Sequence, residues 1–270
     1  MRSTRSLIAA LALAVVTTAA CDSASTTAPN GRSVNLSFAG TRPAGIAAAV
    51  SASMPYAIGD SLVISDGTNT LIITKAEVVA REIELKRAGV VSCDSTMSGN
   101  DDDDCEYFSL DARLVTLPLA SGVSQAISVD VPAGTYTSLE MKVHKVSDDA
   151  EDLAFLAANP TWPEDKSIRV TGFYNGTPFT FVSEVNFEIE EELVPALVIG
   201  ETGQADLTVR IDLTRWFRQG LNGALINPAT AGKNGANEGI VENNIKNSVK
   251  VFHDDDRDGE DDEDEDDDDR

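Results

Sequence analysis

Positive charge is scarce in this chain. Its 270 residues hold 21 Lys and Arg against 45 Asp and Glu, a formal net charge of −24. A surface this acidic repels phosphate, which excludes nucleic acid as a general partner. Only two His and three Cys are present, so thiolate and imidazole metal chemistry has few residues to draw on. No G-x-S-x-G, H-E-x-x-H, C-x-x-C or phosphate-loop pattern occurs, and the chain reads as a non-enzyme that requires no cofactor. Long apolar runs are also missing. Beyond the N-terminal segment nothing approaches the ~20 apolar residues of a transmembrane helix. What is present, 42% hydrophobic residues, suffices for an ordinary globular core.

The N-terminus reads as an address. Arg2 and Arg5 precede an apolar run from Leu7 to Val16, and small residues follow up to Ala19-Ala20. This is the n-region, h-region and cleavage site of a bacterial secretory signal. Cys21 directly after Ala20 resembles a lipobox, although Thr18 stands where Leu is usual. The resemblance implies cleavage before Cys21 and a lipid on its sulfur, with the membrane as partner. It leaves open which envelope membrane holds the anchor and which side the domain faces. Asp22 to Gly31 is small, polar and turn-forming, as a flexible tether would be.

From Val34 to Leu213 the apolar period is mostly two. Phe179, Phe181, Val185, Phe187 and Ile189 alternate with polar residues, as do Leu207, Val209, Ile211 and Leu213. Ile127, Val129 and Val131 repeat the pattern, and so do Leu139, Met141 and Val143. Such alternation predicts half-buried antiparallel strands. Asn175-Gly176 and Asp66-Gly67 predict hairpin turns, and Pro132-Ala133-Gly134 another. The fold class is therefore mainly β, an antiparallel β-sandwich. One short helix is expected within Asp148 to Asn159, stopped by Pro160, and one helical turn near Trp216. Ile240, Val241, Ile245, Val249 and Phe252 recur at helical spacing, predicting a C-terminal amphipathic helix over about 238–252. The boundaries follow: signal 1–20, tether 21–33, sandwich 34–219, loop and helix 220–253, acidic tail 254–270.

Several segments occur in a familiar order: Leu71 to Leu85, Tyr107 to Asp111, Val131-Pro132-Ala133-Gly134-Thr135-Tyr136, and Thr208 to Leu213. Together they resemble a family of uncharacterised bacterial lipoproteins and secreted proteins with a transthyretin-like or immunoglobulin-like β-sandwich. Their shared feature is a P-A-G-x-Y hairpin. The resemblance implies a fold and an address, and it carries no catalytic residues.

Two acidic segments invite closer reading. Cys93 and Cys105 flank a loop containing Asp101 to Asp104. In an oxidising compartment they predict a disulfide, which at this loop length contributes about 3 kcal/mol in the chain-entropy account. At the C-terminus, Asp254, Asp256, Asp258, Gly259 and Glu265 match the calcium-loop spacing D-x-[DN]-x-[DN]-G-x₅-E. There Asp254, Asp256 and Asp258 would offer side-chain oxygens, Glu260 a carbonyl, Asp262 a direct or water-mediated contact, and Glu265 a bidentate carboxylate. Against this, Asp261 occupies a position that is normally apolar, and too few residues follow for an exiting helix. Fourteen acidic residues among 254–270 also fit a solvated, disordered tail. Weak calcium binding and simple solvation both remain open.

His144 reads as a surface residue on a polar strand face, and His253 as the end of the last helix, near its dipole. Glu188 and Glu190-Glu191-Glu192 read as a solvated strand end that discourages edge pairing. The expected function is a lipid-anchored envelope module for binding or adhesion. A passive spacer or assembly subunit is the alternative, and an envelope hydrolase is the remotest reading.

Overall fold

The computed structural model describes residues 32–40, 61–89, 105–109, 111–120, 122–220 and 223–262. The expected signal segment 1–20, Cys21, Cys93 and Glu265 lie outside them. Among the described residues no helix is long and apolar enough to cross a membrane, and no disulfide occurs.

Two sheets pack face to face. The larger is organised on one long strand, β3 (Thr70–Arg87). Along one edge of β3 run β2 (Leu62–Ser65), β5 (Arg113–Thr116) and β4 (Cys105–Ser109). Along its other edge β8 (Ile168–Tyr174) and β7 (Gly134–Val143) meet end to end. Val79 marks the junction: its N–H donates to Ser167 O at 2.8 Å and its carbonyl accepts from His144 N at 2.9 Å. β9 (Thr177–Ser183) extends the sheet beyond β8, and β10 (Phe187–Ile199) extends it beyond β7. The smaller sheet has the order β12 (Val249–His253), β11 (Gly203–Ile211), β1 (Arg32–Gly40), β6 (Val123–Val129). Its β1–β11 pair is parallel, within an otherwise antiparallel sandwich.

The core follows from the alternation. Val34, Leu36 and Phe38 of β1, and Leu207, Val209 and Ile211 of β11, are buried with Ile83, Leu85, Leu139, Met141, Val170 and Phe181 of the large sheet. Trp216 and Phe217 close one end, and Phe217 meets Phe181 edge-on at 5.1 Å. The Asn175-Gly176 hairpin between β8 and β9 forms as predicted. Both residues have positive φ (50° and 80°), as a type I′ turn requires.

Several expectations are corrected. Pro132-Ala133-Gly134 is not a hairpin turn, because β6 pairs with β1 and β7 pairs in the other sheet. The segment instead carries the chain from one sheet to the other. Tyr136, fully buried, braces this corner by donating its hydroxyl to Pro132 O at 2.9 Å. The run from Phe179 to Ile189 is two strands, broken where Ser183 Oγ accepts from Val185 N at 3.1 Å. The inserted helix is shorter than expected, α1 (Leu153–Ala158), and starts after Asp152. The predicted C-terminal helix stops early, as α3 (Glu238–Lys246). Ser248 N turns back to Ile245 O, and Val249 onward pairs with β11 as β12. Val249 and Val251 satisfy a period of two as well as Val249 and Phe252 fit a helix, and an open edge of β11 decides between them. The single helical turn α2 (Leu213–Trp216) is as expected. It is tied to α3 through Asn244 Nδ2, which donates to the carbonyls of Arg215, Trp216 and Arg218.

The loop between β7 and β8 folds over the outer face of the large sheet. Val78 and Ala80 point to the main core, while Val79 points away, into a satellite cluster with Val146, Phe155 and Trp162. Trp162 is thus an anchor of this loop. It meets Phe155 edge-on at 6.0 Å and donates to Lys166 O at 3.0 Å.

Candidate metal centre

β12 ends at His253, and the chain then turns back over the small sheet. Asp254 is fully buried at this turn. Its Oδ2 accepts from Thr208 Oγ1 at 2.6 Å and from Gly259 N at 3.2 Å. Burial pushes the Asp254 carboxyl above its ordinary range, against the bonds from Thr208 and Gly259 that pull it down. Asp256 Oδ1 accepts from Asp258 N at 3.1 Å, and Asp258 Oδ1 accepts from Glu260 N at 2.7 Å. Asp262 Oδ2 closes the loop by accepting from Asp255 N at 2.7 Å. Gly259 has φ +87° and lies where an added Cβ would stand 3.1 Å from Ala39 Cβ, so this position demands glycine twice over. Arg257 pins the loop to β11 by donating its Nε to Asp206 at 2.7 Å.

The sequence places six residues in a calcium loop. The structure brings ligand oxygens of Asp254, Asp256 and Asp262 within 4.8 Å of one another. Asp258 is not in that group; its carboxylate is turned to the backbone of Glu260. Glu265 lies outside the described residues. The flanking architecture differs from a helix–loop–helix, because a strand, β12, enters the loop. Residues 254–262 are also not the solvated tail of the alternative reading, since Asp254 is buried and the turns are hydrogen-bonded. The donor set consists of carboxylate oxygens, the chemistry of a hard cation such as Ca²⁺ or Mg²⁺.

Both histidines differ from expectation. His253 ends a strand, not a helix, and its Nε2 lies 2.9 Å from Pro195 O, tying the small sheet to β10. His144 is buried, with Nε2 2.9 Å from both oxygens of Asp152, itself fully buried. Sequence pattern places His144 on the polar face of its strand, which is correct. The loop carrying α1 then covers that face, a tertiary event with no local signal.

The outer face of β3, β7 and β10 holds a second set of charges that pattern reading passed over. Glu190-Glu191-Glu192 do not mark a strand end, because β10 continues to Ile199. Lys86 is buried between Glu140, at 2.5 Å, and Glu190, at 2.9 Å. Burial disfavours its charge, but these two carboxylates outweigh that and hold the ammonium above its ordinary range. Nearby, Glu77 is buried and bonded by Arg169 Nε at 2.7 Å and Lys75 Nζ at 2.6 Å. The Arg169 guanidinium in turn lies 4.8 Å from the centre of the Trp162 ring.

No protein-family model matches this chain. No curated protein matches it either. Among solved structures the chain is similar to MbnP from Methylosinus trichosporium, at 12% sequence identity and a TM-score of 0.38, over 81% of this chain and 97% of that one.

Proposed function

We propose that this protein is a lipid-anchored β-sandwich of the bacterial cell envelope, a binding or adhesion module without catalytic activity, whose C-terminal loop takes up a calcium ion. The observation that carries the cation reading is the convergence of Asp254, Asp256 and Asp262 on one point. Calcium accepts six to eight oxygens in flexible geometry. The remaining oxygens would come from the Glu260 carbonyl, from water and from Glu265. Three carboxylates held this close repel one another, and a divalent ion removes that cost. A loop partly open to solvent suits the millimolar affinity of extracellular modules. The anchor reading rests on the signal-like N-terminus, Cys21, and the tether before β1. The family resemblance carried by the segments between Leu71 and Leu213 supports the same address.

Calorimetry of the mature chain with Ca²⁺ tests the site, alongside an Asp256→Asn/Asp262→Asn double variant. Asp256 is exposed and Asp262 half-buried, and asparagine keeps an acceptor oxygen at each position for the loop's own hydrogen bonds. A saturable heat in the wild type that the variant lacks is the expected result. Equal heats from both proteins would remove the loop as a calcium site. The anchor is tested by mass spectrometry of membrane-extracted protein, where an unmodified Cys21 sinks the lipid assignment.

A further inference from the structure

The carboxylates on the outer face of the large sheet form a row. Glu140 of β7 is in register with Glu84 of β3 on one side and with Glu190 of β10 on the other. Glu188 stands one pair along, opposite Lys142. Glu84 is 4% exposed, and its Oε2 has no hydrogen-bond partner. Lys86, the nearest cation, spends its bonds on Glu140 and Glu190. A buried carboxylate oxygen with no donor, beside other carboxylates, makes the charged form costly.

Further acidic groups face this row from β3 and β10. β3 adds Glu82, which pairs with Arg81 at 3.3 Å and with Lys142 of β7 at 3.8 Å. β7 adds Ser138, and β10 adds Glu188 and Glu190. On the opposite edge, β4 places Tyr107 in register with Glu84, and Cys105 with Lys86. The backbone is already interrupted here. The β3–β7 ladder shifts register between Arg81 and Glu84, and Glu82 has φ 50°.

We propose that this face is a proton-binding site, with Glu84 neutral, so that the fold is firmest in acidic surroundings and its β3–β7 ladder loosens as this group ionises. The electrostatics agree. Burial first, then the Glu140 and Glu82 charges, push Glu84 up to about 7, with Lys86 opposing. Glu188 is raised by the neighbouring Glu140 carboxylate. On Glu140, burial acts upward, but Glu188 and Lys86 outweigh it and leave that carboxyl low. For Glu84 the folded state keeps a proton that the unfolded chain releases above its ordinary value of 4.5. Stability from this group is therefore complete below that value and is lost as pH rises to about 7.

The test is urea unfolding of the mature chain in chelator across this pH range, for wild type and Glu84→Gln. Other acids, the half-buried Glu191 and Glu242 and the buried Asp254, are also raised and add their own slope in both proteins. The wild-type midpoint is expected to fall with rising pH more steeply than that of E84Q. The two should converge at the acid end, with E84Q the more stable at the alkaline end. Parallel curves overturn the proposal. Carbon-detected titration of the wild-type glutamate carboxyls decides independently, even if E84Q fails to fold. A Glu84 carboxyl titrating near neutrality supports the site, and one titrating in the ordinary carboxylate range overturns it.

Discussion

His144 Nε2 sits 2.9 Å from both carboxylate oxygens of Asp152, which also accepts Ser147 N at 2.8 Å. The three groups fasten the end of β7 to the start of α1 and so hold the satellite cluster shut. His144→Ala leaves Asp152 buried without its main partner. Removing one side of a buried pair typically costs about 3–5 kcal/mol. Chemical denaturation should show a loss of that order. A double-mutant cycle with Asp152→Ala should show strong coupling, and additive losses would mean that the pair is not a unit.

Glu77 offers a pH-dependent case of the opposite sign to Glu84. Burial pushes its carboxyl up, but Arg169 and Lys75 outweigh that and hold it below 4.5. Its stabilisation is thus present above that value and fades as pH falls through the lower folded one. Glu77→Gln should cost about 2–3 kcal/mol near neutrality. The gap from wild type should narrow in acid. A gap of constant size down to about pH 3 would show that packing, not charge, is what the substitution removes.

Tyr136→Phe removes one hydroxyl from the corner that joins the two sheets. The lost bond to Pro132 O should cost about 1 kcal/mol. Thermal unfolding would register this as a small drop with unchanged cooperativity. No change at all would mean that the bond is matched by water in the variant.

Thr208→Val keeps the shape of the side chain and deletes the donor to buried Asp254. A hydrogen bond to such a carboxyl contributes about 1.5–3 kcal/mol, so calcium-free stability should fall by about 2 kcal/mol. In the wild type, calcium at a hundredfold over its dissociation constant should add about 2.7 kcal/mol. Melting curves with and without chelator measure both effects. A wild-type melting point indifferent to calcium would contradict the ion reading.

The parts of the fold legible in the sequence are those fixed by neighbours in the chain. Asn175-Gly176 dictates its own turn. The alternation through Leu207, Val209 and Ile211 fixes which face of β11 is buried. Asp254 and Gly259 carry the calcium-loop spacing in the sequence itself, and of the other five candidate ligands two, Asp256 and Asp262, lie beside Asp254. Less legible are features that depend on distant partners. Val249 and Phe252 fit two periods, and only the free edge of β11 selects the strand, although Asn247-Ser248 is a local break signal. The burial of His144 and Asp152 requires the α1 loop to close. The isolation of Glu84 requires β3, β7 and β10 to line up, which no single segment encodes. Pro132-Ala133-Gly134 marks a change of direction correctly, but not whether the next strand stays in the same sheet.

The parallel pairing of β1 with β11 carries a consequence for the order of assembly. Asn35 meets Asp206 across 171 positions of chain, while β2 to β5 and β7 to β10 complete the larger sheet among themselves. A polypeptide that leaves a pore N-terminus first presents β1 early and its parallel neighbour late. The spine sheet can form while the first strand still waits. Closure of so long a loop is slow, because its entropy is spent before the contacts reward it. A nascent chain would therefore spend its vulnerable interval with one finished sheet, one open apolar face, and a first strand in need of protection.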